Sequence, residues 1–322
     1  MRQEESKGGT AGAQGAAARR TPAVSIVLPT YERLPFLRAA VESVFAQTFT
    51  DWELIVADDG SGAETKAYLR GLESDRVRVL HLEHGGRPSR ARNAALAAAR
   101  AELVAFLDSD DLWEPMKLER QLAAMRAEPE CRWSYTAFVI VNAEGEPLDS
   151  ERKRRWVPYG GRIFRETVRG RAQIRTPAVV ARTALVRAVG GFDERIVRGE
   201  DYDLWMRLAL QSPVCVIDEP LVHVRRHAEH ARRTDYLAYE GRDYSLRKLA
   251  ARLAGADRAL VREERARNAL AHAAAVAARG ERWRSLAPLA RSLPFGWQHP
   301  AWWRGAVKAT LRAGLGWPRA GG

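Results

Sequence analysis

The chain has 322 residues, 46% of them hydrophobic, which is enough for one large domain or for a domain with a substantial extension. Its formal net charge is +12, yet residues 221–322 hold 20 Lys and Arg against 8 Asp and Glu, leaving 32 of each sign in the rest. A neutral body with a basic tail argues against a nucleic-acid-coating protein, and the lack of any run of about 18 uncharged apolar residues argues against a transmembrane helix.

Residues 1–22, rich in Gly, Ala and polar residues before Arg19-Arg20, lack an apolar signal-peptide core and read as a disordered lead-in. The β-branched run 24–28, closed by Pro29-Thr30, predicts a buried strand. Leu34, Leu37, Val41, Val44 and Phe45 then recur at helical spacing, ending near Gln47. A second strand is predicted over 52–57, stopped by Asp58-Asp59-Gly60-Ser61, then a helix over 64–72 and a third strand over 77–82. Gly85-Gly86 turns the chain into a helix over 89–100, and a strand over 103–107 runs into Asp108-Ser109-Asp110-Asp111.

Alternating strands and helices with nearly continuous apolar strands imply a parallel sheet covered on both faces, and in such sheets ligands bind outside the carboxyl ends of the strands. Asp58-Asp59 and Asp108 to Asp111 fall on that rim. Three carboxylates within four residues repel one another, so either they are solvated, with Asp111 capping a helix from Leu112, or a divalent cation of the Mg²⁺ or Mn²⁺ class lies between them.

Beyond about residue 130 the pattern becomes mixed. It predicts a strand over 133–141, a turn at 142–145, a basic run at 152–155, a strand over 176–181, a helix over 183–189 stopped by Gly190-Gly191, and a helix over 200–210. From about 236 onward Ala, Leu and Arg keep helical spacing, broken by Gly280 and by Pro294 to Pro300. Cys131 and Cys215 stand apart and match no metal-ligand spacing, so a reducing intracellular compartment is expected rather than a disulfide scaffold. Trp297, Trp302 and Trp303 among basic residues suit either a membrane interface or packing of the tail on the domain.

Four segments in order, VSIVLPTY with SVFAQTFTDWELIVADDGS, GGRPSRARNAAL, LVAFLDSDDLWEP and TPAVVARTALVRAVGGFDERIVRGEDYDLWMRL, resemble the family 2 glycosyltransferases over residues 24–227. The resemblance implies an α/β protein of GT-A type, a mostly parallel Rossmann-like sheet flanked by helices, with a helical C-terminal extension. It implies a catalytic domain over 23–235, with a nucleotide half to about 115 and an acceptor half beyond, and a basic helical extension over 236–322.

The same resemblance assigns roles. Pro29 and Tyr31 would lie against the nucleotide base and Asp59 would accept a hydrogen bond from it, with Asp58 holding the loop instead. Arg92, beside Asn93 and Arg90, would meet the diphosphate. Asp108 and Asp110 are the DXD acids for ribose and for Mn²⁺ or Mg²⁺, with Asp111 as a substitute. Arg225 and His227, flanked by His223 and His230, would lie near the diphosphate and the metal. Glu200 and Asp201 form the acidic pair, Asp201 being the expected base that deprotonates the acceptor hydroxyl. Asp203 reads as an exposed helix acid, and Trp205 as an acceptor wall or core packing.

The expected partners are a nucleotide-diphosphate sugar, UDP-sugars favoured, and a glycan or lipid-linked acceptor. The expected location is cytoplasmic, with peripheral contact at the inner face of the cell membrane and no nucleic acid. A metal-dependent nucleotidyltransferase leaves Glu200-Asp201 unexplained, and a non-catalytic membrane adaptor leaves the acid rim unexplained.

Overall fold

A computed structural model describes residues 20–148, 156–226, 236–279, 281, 283–297, 302–303 and 306–307. The predicted lead-in to residue 19, the basic run 152–155, His227, His230 and Gly280 lie outside the described residues.

The first four long strands are β1 (Val24–Thr30), β2 (Trp52–Asp58), β3 (Val77–His81) and β4 (Leu103–Phe106). Every residue of β1 and β2 is buried, which is why their sequences are continuous apolar runs rather than alternating ones. They pair in parallel in the order β3-β2-β1-β4, with Thr30 beside Asp58 and Asp58 beside His81. The carboxyl ends therefore line up on one rim, and Leu107, whose N–H donates to the Val27 carbonyl, carries β4 directly on to Asp108. Helices α1 (Leu34–Phe45), α2 (Ala63–Leu72) and α3 (Pro88–Ala98) connect these strands.

The segment after the acids departs from the expected helix at Leu112. Leu112–Trp113 is a two-residue strand, β5, and the next helix, α4 (Lys117–Ala127), begins only at Lys117. Asp111 caps no helix; its Oδ1 accepts the Arg225 N–H at 2.8 Å, and β5 pairs antiparallel with His223 and Val222. A short polar-to-apolar step before Pro115 reads as a helix start, but the unpaired edge of a distant strand claims it.

The second half adds β6 (Trp133–Val141), β7 (Val179–Arg182) and β8 (Val214–Arg225). The full order is β3-β2-β1-β4-β7-β6-β8-β5; β7 is antiparallel to both β4 and β6, and β6 is parallel to β8. The predicted strand 176–181 thus resolves into a 3-10 turn, Thr176–Ala178, and β7. Trp205 belongs to the core, fully buried and stacked on Trp133 at 6.3 Å, with Phe106 and Phe192 against it. The acceptor-wall alternative for Trp205 is thereby removed.

Three C-terminal helices follow, Tyr236–Ala250, Gly255–Ala278 and Leu286–Gly296, the last running through Pro294 rather than breaking there. Leu246, Leu249, Ala250, Leu260 and Val261 are buried in the same apolar core as the sheet. Gly241 makes this docking close: a Cβ there would overlap the Arg198 carbonyl oxygen. Trp302 packs with Ala266, Ala273, Leu289 and Ala306 inside the extension, while Trp297 and Trp303 remain half exposed. Among the described residues no helix is long and apolar enough to cross a membrane.

Candidate active site

A cavity of about 510 Å³ opens on the rim where β1, β2 and β4 end. Pro29, Tyr31, Glu32, Arg33, Asp59, Arg87, Arg92, Asp108 and Asp110 line it. Six residues singled out in the sequence for donor or metal binding therefore meet in one place: Pro29, Tyr31, Asp59, Arg92, Asp108 and Asp110.

The two acids after β2 divide their work. Asp58 is fully buried; its Oδ1 accepts the Ser61 N–H at 2.9 Å and its Oδ2 is 3.1 Å from His81 Nδ1, so it holds the loop. Asp59 points to the cavity and accepts the Gly85 and Gly86 N–H groups at 2.9 and 2.8 Å. Gly60 makes this approach feasible, with a positive φ of 86° and its backbone against His84. Tyr31 stacks on His84 with ring centroids 4.2 Å apart, an aromatic pair at the mouth of the cavity. His84, which the sequence pattern did not single out, reaches the site through this stack on the cavity-lining Tyr31.

Arg92 is clamped. Its Nη1 donates to Glu200 Oε1 at 2.8 Å and its Nη2 to Asp108 Oδ1 at 2.6 Å, joining the donor rim to the helix Glu200–Gln211. Burial works against the guanidinium charge, but Asp108 and Glu200 outweigh it and hold Arg92 protonated above its ordinary range. Burial pushes the Asp108 carboxyl up, Arg92 opposing and Asp110 adding to the rise. Asp111 is pushed well above the ordinary range by burial, then by Asp110 and Asp108. The rim is thus a set of mutually repelling, partly desolvated carboxylates. Such a set of hard oxygen donors, with Asp108 and Asp110 facing the cavity, fits a small divalent cation.

Four other residues named from the sequence lie elsewhere. Arg90 holds the turn, donating to the Glu83 carbonyl at 3.1 Å. Arg225 does not line the cavity: its N–H meets Asp111, its Nη1 is 3.4 Å from the Asp110 carbonyl, and its guanidinium lies 5.1 Å from the Phe36 ring. Asn93, rather than facing a ligand, donates to the Phe192 carbonyl and accepts its N–H, both at 2.9 Å. His223 Nε2 is 2.8 Å from Glu114 Oε1.

The helix carrying Glu200 and Asp201 starts from Gly199, whose φ of 82° turns the chain into it without a side-chain cap. Asp201 is therefore inside the first turn and not the N-cap. Its Oδ1 accepts the Tyr202 N–H at 2.7 Å and its Oδ2 accepts the Thr176 hydroxyl at 3.2 Å. Asp201 is close enough to add to the charge felt by both Arg92 and Asp108. Burial raises the Glu200 carboxyl, with Arg92 opposing and Asp201 reinforcing.

Asp203 overturns its reading as an exposed acid. It is fully buried, 2.6 Å from Arg207 Nη2 and 2.8 Å from Lys248 Nζ, and Lys248 also reaches Asp193 at 2.8 Å. A buried charge without partners would be costly, and Lys248 comes from the extension, out of reach of any local pattern. The cysteines are both free, but they do not stand apart in space: Cys131, Cys215 and Glu128 bring their ligand atoms within 4.8 Å of one another, the one such cluster among the described residues. The 84 positions between the two cysteines hid that proximity, which arises because Cys215 lies on β8 beside the strand that follows Cys131.

This architecture, a parallel nucleotide-type half-sheet joined to a mixed second half with acids on the shared rim, is that of the GT-A glycosyltransferases. The chain belongs to glycosyl transferase family 2, whose model matches residues 25–185, half of its length. It is 39% identical over 130 residues to the putative teichuronic acid biosynthesis glycosyltransferase TuaG of Bacillus subtilis, covering 40% of this chain and 51% of that one. It is 36% identical over 119 residues to the UDP-Glc:alpha-D-GlcNAc-diphosphoundecaprenol beta-1,3-glucosyltransferase WfgD of Escherichia coli, covering 37% and 47%. The match thus spans about half the length of these curated relatives. In fold it is similar to S. aureus TarS 1-349 in complex with UDP-GlcNAc, with a TM-score of 0.58 at 17% identity over 92% of this chain and 93% of that one.

Proposed function

We propose that the protein is an inverting glycosyltransferase that moves a sugar from a nucleotide-diphosphate sugar to an acceptor hydroxyl in the assembly of surface polysaccharide or glycolipid. The observation that carries this reading is the rim cavity, where Pro29, Tyr31, Asp59, Arg92, Asp108 and Asp110 converge beside the Asp201 helix. The relatives named for teichuronic acid synthesis and for glucosyl transfer to a lipid-linked sugar support the acceptor class. The UDP-GlcNAc complex of TarS supports a UDP-sugar donor.

Tyr31 and Pro29 offer the base a flat apolar contact, and Asp59 keeps lone pairs for a base N–H beyond those given to Gly85 and Gly86. Asp108 and Asp110 would hold Mn²⁺ or Mg²⁺, with His227 as a further ligand. Such an ion supplies Lewis-acid stabilisation of the departing diphosphate. Arg92 fixes the spacing between Asp108 and Glu200 and adds positive charge at the floor. Arg225 supports this floor through its backbone N–H, which donates to the Asp111 carboxylate. Asp201, oriented by Thr176 and the Tyr202 N–H, takes the acceptor proton as the hydroxyl attacks the anomeric carbon, and a single displacement inverts that centre.

The half-exposed Trp297 and Trp303 beside exposed Leu293 and Val307 provide an apolar face for peripheral contact with an anionic membrane at the cytoplasmic surface. Flotation with anionic vesicles tests this contact; full-length protein that stays at the bottom of the gradient contradicts it.

The catalytic reading is tested by thermal unfolding with UDP-, GDP- and TDP-sugars in the presence and absence of Mn²⁺. The expected result is stabilisation by one nucleotide class that depends on the metal. Absence of stabilisation and of turnover with every donor would falsify the assignment.

A further inference from the structure

Between β1 and α1 the chain does something expensive. Glu32 and Arg33 are consecutive non-glycine residues with positive φ, 54° and 57°, and no other non-glycine residue among those described shares that property. Side chains strongly disfavour this region, and such strain persists where surrounding contacts enforce it. Here they do: the Glu32 N–H donates to Ser61 Oγ at 2.8 Å, and Glu32 Oε1 accepts the Gly62 N–H at 2.7 Å. The Arg33 carbonyl in turn accepts the Phe36 and Leu37 N–H groups that begin α1.

The effect of the turn is to aim Arg33 into the rim cavity, where its Nη1 lies 3.1 Å from Asp110 Oδ2. Its position differs from that of the other cavity arginines. Arg92 is buried between two carboxylates, and Arg87 donates to the Glu194 carbonyl. The Arg33 side chain keeps 31% of its surface exposed, whereas that of Arg92 keeps 6%. A guanidinium that sits over the acid assigned to the metal, within a cavity large enough for a diphosphate, competes for that acid with any divalent charge held there. Planar forked donors match phosphate oxygens as well as they match a carboxylate.

We propose that Arg33 is an exchangeable counter-ion. It neutralises Asp110 before the donor arrives, then releases that carboxylate to the divalent cation and turns to the donor's diphosphate. This rests on the reading of Asp110 as a metal ligand, and it adds a phosphate-binding residue to that site. The strained turn holds the base of the side chain at a point from which both partners are reachable.

The two roles have opposite signs, which makes them separable from a merely structural one. Mn²⁺ binding without nucleotide is read from the electron paramagnetic resonance signal of the free ion, and UDP binding with Mn²⁺ by calorimetry. Wild type is compared with Arg33→Met and Arg33→Lys. Arg33→Met is expected to bind Mn²⁺ more tightly in the absence of nucleotide while losing about tenfold in UDP affinity, with Arg33→Lys intermediate in both. Loss of both affinities together, or an unchanged UDP affinity, overturns the exchange. Wild-type protein that binds UDP equally well with and without Mn²⁺ overturns the metal reading itself, and with it this inference.

Discussion

The two halves of the sheet domain, proposed to serve donor and acceptor, present acids to one rim, but they hold those acids in different ways. For the two acids after β2 the partners are mainly backbone groups from neighbouring turns: Ser61 for Asp58, Gly85 and Gly86 for Asp59. In the acceptor half they are charged side chains from remote segments. Glu200 takes Arg92 from 108 positions away, and buried Asp203 takes Arg207 and, from the C-terminal extension, Lys248. Arg242 of the same extension lies 5.3 Å from the ring of Tyr202, next to Asp201. The turn after β2 is thus shaped largely by nearby backbone groups, whereas the helix bearing the expected base is tied down by ion pairs that span the molecule.

That contrast can be broken from the acceptor side. Lys248→Met leaves Asp203 buried with Arg207 alone and Asp193 without its ammonium partner. The expected cost is about 2–3 kcal/mol, below the usual range for breaking a buried pair because Arg207 remains. Calorimetric unfolding checks this, and an unchanged melting temperature would show that the extension does not hold the helix of the proposed base.

A smaller effect of opposite sign is expected at the junction of the halves. Lys117 is fully buried, its Nζ has no hydrogen-bond partner, and it rests 4.0 Å from the centre of the Trp113 ring. Burial pushes its pKa well below the ordinary lysine value, so the unfolded chain binds the proton more readily than the folded one. Stability therefore rises with pH from that lowered value up to about 10.4, and Lys117→Met should remove this slope and gain about 1–2 kcal/mol at neutral pH. Chemical denaturation of both proteins across pH 7 to 10 reads the difference; a destabilised variant would mean that the cation–π contact outweighs desolvation.

The same contrast explains what could be read in advance. The strands over 24–28 and 52–57 were legible because they are buried on both faces and so carry continuous apolar runs, and that over 133–141 because most of it is buried; the half-buried edge strand over 77–82 was legible from its apolar alternation. The acids at their ends were legible because a parallel sheet puts strand ends on one rim. What escaped was decided by distant partners. Leu112 and Trp113 become a strand through β8, Asp203 goes inside because Lys248 and Arg207 meet it, and the two cysteines converge through the pairing of β6 with β8. Arg33 escaped for a local reason: nothing in Tyr31-Glu32-Arg33-Leu34 signals a left-handed turn, since neither Gly nor Asn stands there.

The central claim is that donor binding and proton removal are separate tasks of the two halves, the second resting on Asp201. Its most direct test compares Asp201→Asn with wild type in UDP binding by calorimetry and in sugar transfer to an acceptor. The account expects UDP affinity within about twofold of wild type and transfer lowered by about 10²–10⁴-fold, the usual contribution of a positioned general base. Transfer at the wild-type rate, or UDP affinity lost in step with transfer, would contradict it.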